Sequence, residues 1–185
     1  MDTLQPGHYW KTSFYWESGC PSPPPKRRLS FEPASDEALR PVIGAVMATS
    51  IDESDRFTVS RIGVQAAVQE VYDLLPRYFK RQSGWWRMGK DAQDQPVGFV
   101  LPVIFKDERF FKDGKPQGTI CYMGVLPSFR GCGYGLELVH EATRVLLVEG
   151  CWRIFCDTGT DNTPMIGAFR QAGHMERKQW QRPLA

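Results

Sequence analysis

The chain has 185 residues and a formal net charge of +2, and is 42% hydrophobic, 24% charged and 12% aromatic. That length suits a single domain, since domains most often run to about 100–150 residues, and the composition excludes a disordered or fibrous chain. The near-neutral balance lacks the clustered basicity of a nucleic-acid binder. The longest apolar run, VGFVLPVIF (97–105), falls far short of a membrane span.

The N-terminus, MDTLQPGHYWK, lacks the basic-then-apolar pattern of a secretory signal, which leads us to expect a cytoplasmic chain. Five cysteines (Cys20, Cys121, Cys132, Cys151, Cys156) show no C-x-x-C pair, so neither a disulfide framework nor a zinc site is expected. Three widely separated histidines likewise predict no metal.

The aromatic stretch HYWKTSFYW (8–16) reads as a strand, and CPSPPP (20–25) reads as an extended linker that carries the basic run Lys26-Arg27-Arg28 into solvent. LSFEPA (29–34) predicts a short strand. Ser35-Asp36-Glu37 then caps a helix running to about Ser50. IDESDRFTVS (51–60) reads as an acidic loop, followed by a helix with one apolar face at 64, 67, 68, 71, 74 and 75. Two strands follow at 85–91 and 96–105, the second carrying Pro102, which argues for an edge position or a bulge.

A hydrophilic excursion (106–117) precedes a strand at 118–127. GLELVHEATRVLLVE is a helix stopped by Gly150, and strand 151–158, helix 163–173 and strand 174–182 complete the chain. The order gives a mixed α/β (α+β) domain. Its boundaries are an extra N-terminal strand and linker (1–28) packed on a main domain (29–185).

The junction PSFRGCGYG (127–135), between a strand and a helix, is the pattern of an anion site. Unpaired helix N-terminal amides face outward there, and glycines let phosphate oxygens approach. The nucleoside-triphosphate loop fails, because Leu136 and Glu137 stand where Lys and Ser or Thr are needed. The dinucleotide fingerprint fails at Leu136. What remains, Arg130-Gly-Cys-Gly-Tyr-Gly135 after Val125-Leu-Pro127, resembles the GCN5-related N-acetyltransferase family. The resemblance extends from about Leu29 to Trp180.

That resemblance implies a mostly antiparallel sheet flanked by helices, with a V-shaped splay around the cofactor strand. It implies an enzyme that transfers acetyl from acetyl-CoA to a primary amine, on a small molecule or a peptide, by direct attack in a ternary complex. Neither nucleic acid nor membrane is a partner in this reading. The amides of Gly131, Cys132, Gly133, Tyr134 and Gly135 would cradle the pyrophosphate with Arg130 alongside. Met123, Gly124 and Val125 would pair with the pantetheine arm and polarise the thioester carbonyl, and Asn162 and Phe169 would flank the cofactor.

The chain departs from the family where proton transfer is concerned. Thr119 and Cys121 occupy the strand positions where a base often stands, and Phe169 replaces the tyrosine that often protonates the thiolate. Asp157 is the one named candidate base, with a turn-capping acid as its alternative. A non-catalytic acyl-CoA-binding or sensing domain is the competing function.

Among the remaining candidates, the acidic stretch Asp52-Glu53-Asp55 either attracts a cationic amine or is simply solvated. His140 and His174 read as packing residues. Residues 8–16 are expected to add a strand to the sheet or to form a homodimer contact, covering an edge that would otherwise be exposed.

Overall fold

The computed structural model describes residues 3–17 and 27–184, so the proline stretch and Cys20 lie outside the described residues. Eight strands and four helices are present: β1 (His8–Glu17), β2 (Ser30–Pro33), α1 (Asp36–Met47), α2 (Glu53–Tyr78), β3 (Phe79–Lys80), β4 (Arg87–Lys90), β5 (Pro96–Phe105), β6 (Gln117–Val125), α3 (Tyr134–Val148), β7 (Arg153–Gly159), α4 (Thr163–Gln171) and β8 (Met175–Pro183). Ser35 caps α1 as expected, its hydroxyl accepting from the Ala38 amide at 3.2 Å.

Of the stretch 51–60, residues 53–60 are helical rather than loop. Asp52 caps α2 by accepting from the Ser54 amide, and the helix then runs to a kink at Gly63, where φ is 77°. The acidic residues that suggested a solvated loop instead sit in the first turn, where the helix dipole favours them. The two-residue β3, which no sequence pattern announced, pairs with the end of β5 at Phe79↔Phe105.

The sheet runs β2-β4-β5-β6-β7-β1-β8, with β3 added to β5. Every pairing is antiparallel except β6 with β7. The expected fold, a mixed and mostly antiparallel sheet flanked by helices, is therefore the observed one. A side chain at Gly124 would collide with Val46, which places α1 on one face, and Leu138 of α3 lies over Gly89 and Gly98 on the other. Between these layers Leu39, Ile43, Phe99, Leu101, Leu138 and Leu146 are fully buried.

Pro102 lies inside the sheet, at a bulge rather than an edge. Pairing passes from Leu101↔Tyr122 to Pro102↔Ile120, leaving Cys121 as the extra residue of β6.

β6 and β7 pair only at Gln117↔Arg153, Gly118↔Ile154 and Thr119↔Phe155, and then part. The second half of β6 therefore has β5 on one side and an open gap on the other.

The N-terminal segment adds a strand to the sheet as expected, but in an interior position rather than at an edge. β1 lies between β7 and β8, paired along Lys11–Glu17 with β7 and along His8–Tyr15 with β8. Its composition explains the place: Tyr9, Phe14 and Trp16 are buried, a load of aromatic surface that an edge strand with a wet side would leave exposed. Phe14 packs on Phe169 of α4 with ring centroids 5.1 Å apart.

Candidate active site

The gap between β6 and β7 opens into a groove of about 1120 Å³ that follows β6 from the glycine loop to Phe105. At the loop end the chain leaves Val125, passes one turn of 3₁₀ helix (Pro127–Phe129) and enters α3 at Tyr134. Gly131 and Gly133 hold φ of 78° and 79°, values that a side chain with a Cβ adopts only under strain. Open space stands where a Gly131 side chain would be.

Among the described residues the amides of Gly131, Cys132 and Gly133 have no acceptor. Those of Tyr134 and Gly135 are the unpaired first donors of α3. The loop is thus a concave row of free N–H groups at a helix N-terminus, the arrangement that binds a phosphate.

The same accounting extends into β6. The Leu126 amide donates to Val97 at 2.8 Å. Alternation along an antiparallel pair then points the Met123 and Val125 amides away from β5 and into the gap. Gly124 is the point of closest approach to α1, and only glycine lets β6 lie flat beneath Val46 there.

Arg130 is turned from the loop to the end of α1. Its guanidinium donates to Thr49 O at 2.7 Å, Thr49 Oγ1 at 2.8 Å, Val46 O at 3.4 Å and Val125 O at 3.1 Å, so it fixes the angle between α1, β6 and the loop. The cation on the loop itself is Arg28, which was read as part of a solvated linker. It donates to Cys132 O and to Glu137 Oε1, both at 2.8 Å, and stacks over Tyr134 at 4.4 Å. The anchor is Glu137, a buried carboxylate in the first turn of α3 that also accepts from the Arg28 and Leu29 amides. The sequence shows only an acid in the first turn of a helix, where the dipole already favours it, so the partner becomes evident from the burial of Glu137.

Halfway along β6 the groove becomes acidic. Asp52 accepts from the Gly159 amide at 2.8 Å and from Thr158 Oγ1 at 3.1 Å, tying α2 to the end of β7. Asp157 forms an ion pair with Lys11, a buried ammonium brought in by β1. Asp55 accepts from the Tyr122 hydroxyl at 2.7 Å. Burial pushes the Asp55 carboxyl up from the ordinary range, with hydrogen bonds from Ser50 and Tyr122 opposing and nearby Asp52 reinforcing the rise. Burial, and then Asp55, pushes the Tyr122 phenol well above its usual value.

Asp52 and Asp157 are thus tied to β7 and to Lys11, and Asp55 is the carboxylate of the three that burial raises. Tyr122 and Lys11 were not singled out by the sequence.

The remaining candidates are accounted for by packing. Cys121 lines the groove, but burial and then Asp157 push its thiol up to about 12, which keeps it from acting as a nucleophile. Asn162 caps α4 through its backbone and lines the groove. Phe169 is 2% exposed and packs between Phe14 and His174. His174, buried against Thr143 and Cys156, has its pKa pushed down to about 4 by burial and then by His140. Among the described residues no cluster of His, Cys, Asp and Glu has a metal-binding arrangement, and no helix is long and apolar enough to cross a membrane.

Residues 64–174, more than half of the chain, match the model of the acetyltransferase (GNAT) family. The chain belongs to that family. Solved structures of GNAT proteins share the fold. An acetyltransferase from Colwellia psychrerythraea is 14% identical with a TM-score of 0.58 over 94% of this chain and 54% of its own. A GCN5-related N-acetyltransferase from Sphaerobacter thermophilus is 15% identical with a TM-score of 0.57 over 95% and 52%. The chain thus spans about half the length of these two proteins. An aminoglycoside 6'-N-acetyltransferase from Acinetobacter haemolyticus is 19% identical with a TM-score of 0.52, over 80% of this chain and 92% of its own.

The GNAT match begins at Val64, just beyond the Gly63 kink. Lys11, Arg28, Asp52 and Asp55 all lie outside it.

Proposed function

We propose that this GNAT protein is an acetyl-CoA-dependent N-acetyltransferase that acts on a primary amine by direct attack in a ternary complex. The observation that carries the reading is two sets of free amides along the groove, at Met123 and Val125 of β6 and at Gly131 to Gly135 of the loop, with the Asp55 carboxylate, raised by burial and held by Tyr122, beside them.

The residues fit the donor. Gly131 to Gly135 offer unpaired amides to the pyrophosphate, with Arg28 beside them, while Arg130 holds the loop in register with α1. Met123, Gly124 and Val125 offer an open strand edge to the pantetheine arm, and Asn162 and Phe169 line the gap on the α4 side. When bound, acetyl-CoA supplies an acetyl thioester. The Met123 amide is the donor placed to stabilise charge developing on an acyl oxygen in the gap.

Asp55 takes the proton of the incoming ammonium, with the Tyr122 hydroxyl orienting its carboxylate. Phe169 has no proton to give to the departing sulfur. None is required, since simple thiols ionise near pH ~8.5. Asp157 is ion-paired with Lys11 and has a structural role in this reading.

Phe169 on its own would favour a domain that binds acyl-CoA without turnover. Asp55 and Tyr122 on the acceptor side favour the enzyme.

The test is release of free thiol from acetyl-CoA in the presence of an amine panel, with the acetylated amine identified by mass. Amine-dependent release is the expected outcome. Tight CoA binding with no release across the panel would establish the binding-domain reading instead.

A further inference from the structure

The groove has a distinct character at each position along β6, and the segment remote from the glycine loop is apolar. Its wall is formed by Val71, Leu74 and Tyr78 of α2, Phe79 of β3 and Phe105 of β5. The first three recur at helical spacing beside the buried Ala67, Val68 and Leu75; Val71 packs against the core, and the apolar face of α2 continues through the exposed Leu74 and Tyr78 into the groove. Phe79 stacks on Phe105 with centroids 5.1 Å apart, and Tyr78 lies 6.3 Å from Phe79.

Leu74 and Tyr78 are 48% and 47% exposed, an unusual cost for large side chains gathered in one concave wall. Asp52, Asp55, Asp157 and Lys11 line the middle of the groove and Arg28, Arg130 and Glu137 its loop end, while Arg182 of β8 lines it as well; none of these is among the five wall residues, although the Arg77 guanidinium lies 5.2 Å from the Tyr78 ring.

We propose that the acceptor is a primary amine carried on a neutral apolar body, aliphatic or aromatic, that enters along this wall and presents its ammonium to Asp55. The proposal rests on the N-acetyltransferase reading above. Charge and shape divide the work: the carboxylates recognise a single cation, and the α2–β5 wall removes the body from water. A second cation or a polyhydroxylated ring would meet Leu74, Tyr78 and Phe105 with polar groups left unpaired. The order of features also fixes direction, because the loop amides occupy the end where β6 meets α3, which leaves the aromatic end for the acceptor.

The experiment measures kcat/KM for n-propylamine, n-butylamine, n-pentylamine, n-hexylamine and 2-phenylethylamine, with spermidine and glucosamine as polar comparators. Calorimetric titration of 2-phenylethylamine into the protein saturated with CoA reads binding without turnover. Each added methylene is expected to raise kcat/KM roughly fourfold. 2-Phenylethylamine should exceed both comparators and bind in the calorimeter. In Leu74→Ser, an exposed position whose thermal melt reports intact folding, the slope along the alkyl series should fall.

Spermidine or glucosamine matching hexylamine, or a flat alkyl series, would overturn the apolar acceptor while leaving the N-acetyltransferase reading in place. Absence of acetyl transfer to any amine would instead overturn that reading, and the acceptor with it.

Discussion

The two working ends of the groove are built in opposite ways. The glycine-loop end is a run of neighbours, Met123 to Gly135, whose contribution is backbone N–H and the absence of side chains. The acidic centre is assembled from side chains far apart in the chain: Lys11 on β1, Asp52 and Asp55 on α2, Tyr122 on β6 and Asp157 on β7. The first lies wholly within the residues that match the GNAT model, whereas three of the five members of the second lie outside them. A donor held through its phosphates and an amide-like arm can be met by backbone alone. Recognition of a cation needs charges at particular points, and Lys11, Asp52 and Asp55 lie on segments that precede the GNAT match.

Substitutions at each end should therefore fail differently. At the loop end, Gly133→Val forces a β-branched residue into φ of 79°. Strain of about 1–3 kcal/mol at such a position should weaken CoA binding on the order of tenfold to a hundredfold by calorimetry. An unchanged affinity would mean that the loop geometry is not what holds CoA.

The pH dependence comes next in size. Asp55 must be ionised to take a proton and its carboxyl is raised by burial, so the transfer rate should fall about tenfold per pH unit below that raised value. In Asp55→Asn the same limb should vanish. CoA affinity, resting on backbone amides, should not share the slope.

A smaller effect is expected for Arg28→Gln. The half-exposed guanidinium should contribute only a few-fold to CoA affinity, and that contribution should fade with added salt.

The smallest effect bears on stability. A carboxyl whose pKa is raised on folding binds more protons in the folded state, so ionised Asp55 costs stability as pH rises from about 3.8 through its folded value. Asp55→Asn should therefore melt slightly higher than the parent at neutral pH, where a loss would show that the Tyr122 contact outweighs desolvation.

This division also explains what could be read from the letters. The loop, the strands on either side and the amphipathic helix after it follow from contiguous patterns, and they were enough to reach the family. β1 was legible as a strand but not as an interior one, because its two neighbours are set by packing against Phe169 and by pairing with segments at the far end of the chain. The first turns of α2 are polar enough to resemble a loop, and they are helical because Asp52 caps them.

Tyr122 escaped for a physical reason. Simple alternation groups Thr119 and Cys121 with Met123 on the opposite face. Tyr122 shares the face of Gly124, beneath α1, where Asp55 waits. Arg28 was hidden by its place after the prolines, although buried Glu137 required a partner.

The measurement that bears most directly on the account is a paired one on Asp55→Asn: CoA affinity by calorimetry and single-turnover acetyl transfer to an accepted amine. If the two ends act separately, CoA affinity is unchanged and transfer slows by roughly 10²–10⁴-fold. Transfer at the parental rate, or a matching loss of CoA affinity, would contradict the assignment of Asp55 as the proton acceptor and the separation of the two ends.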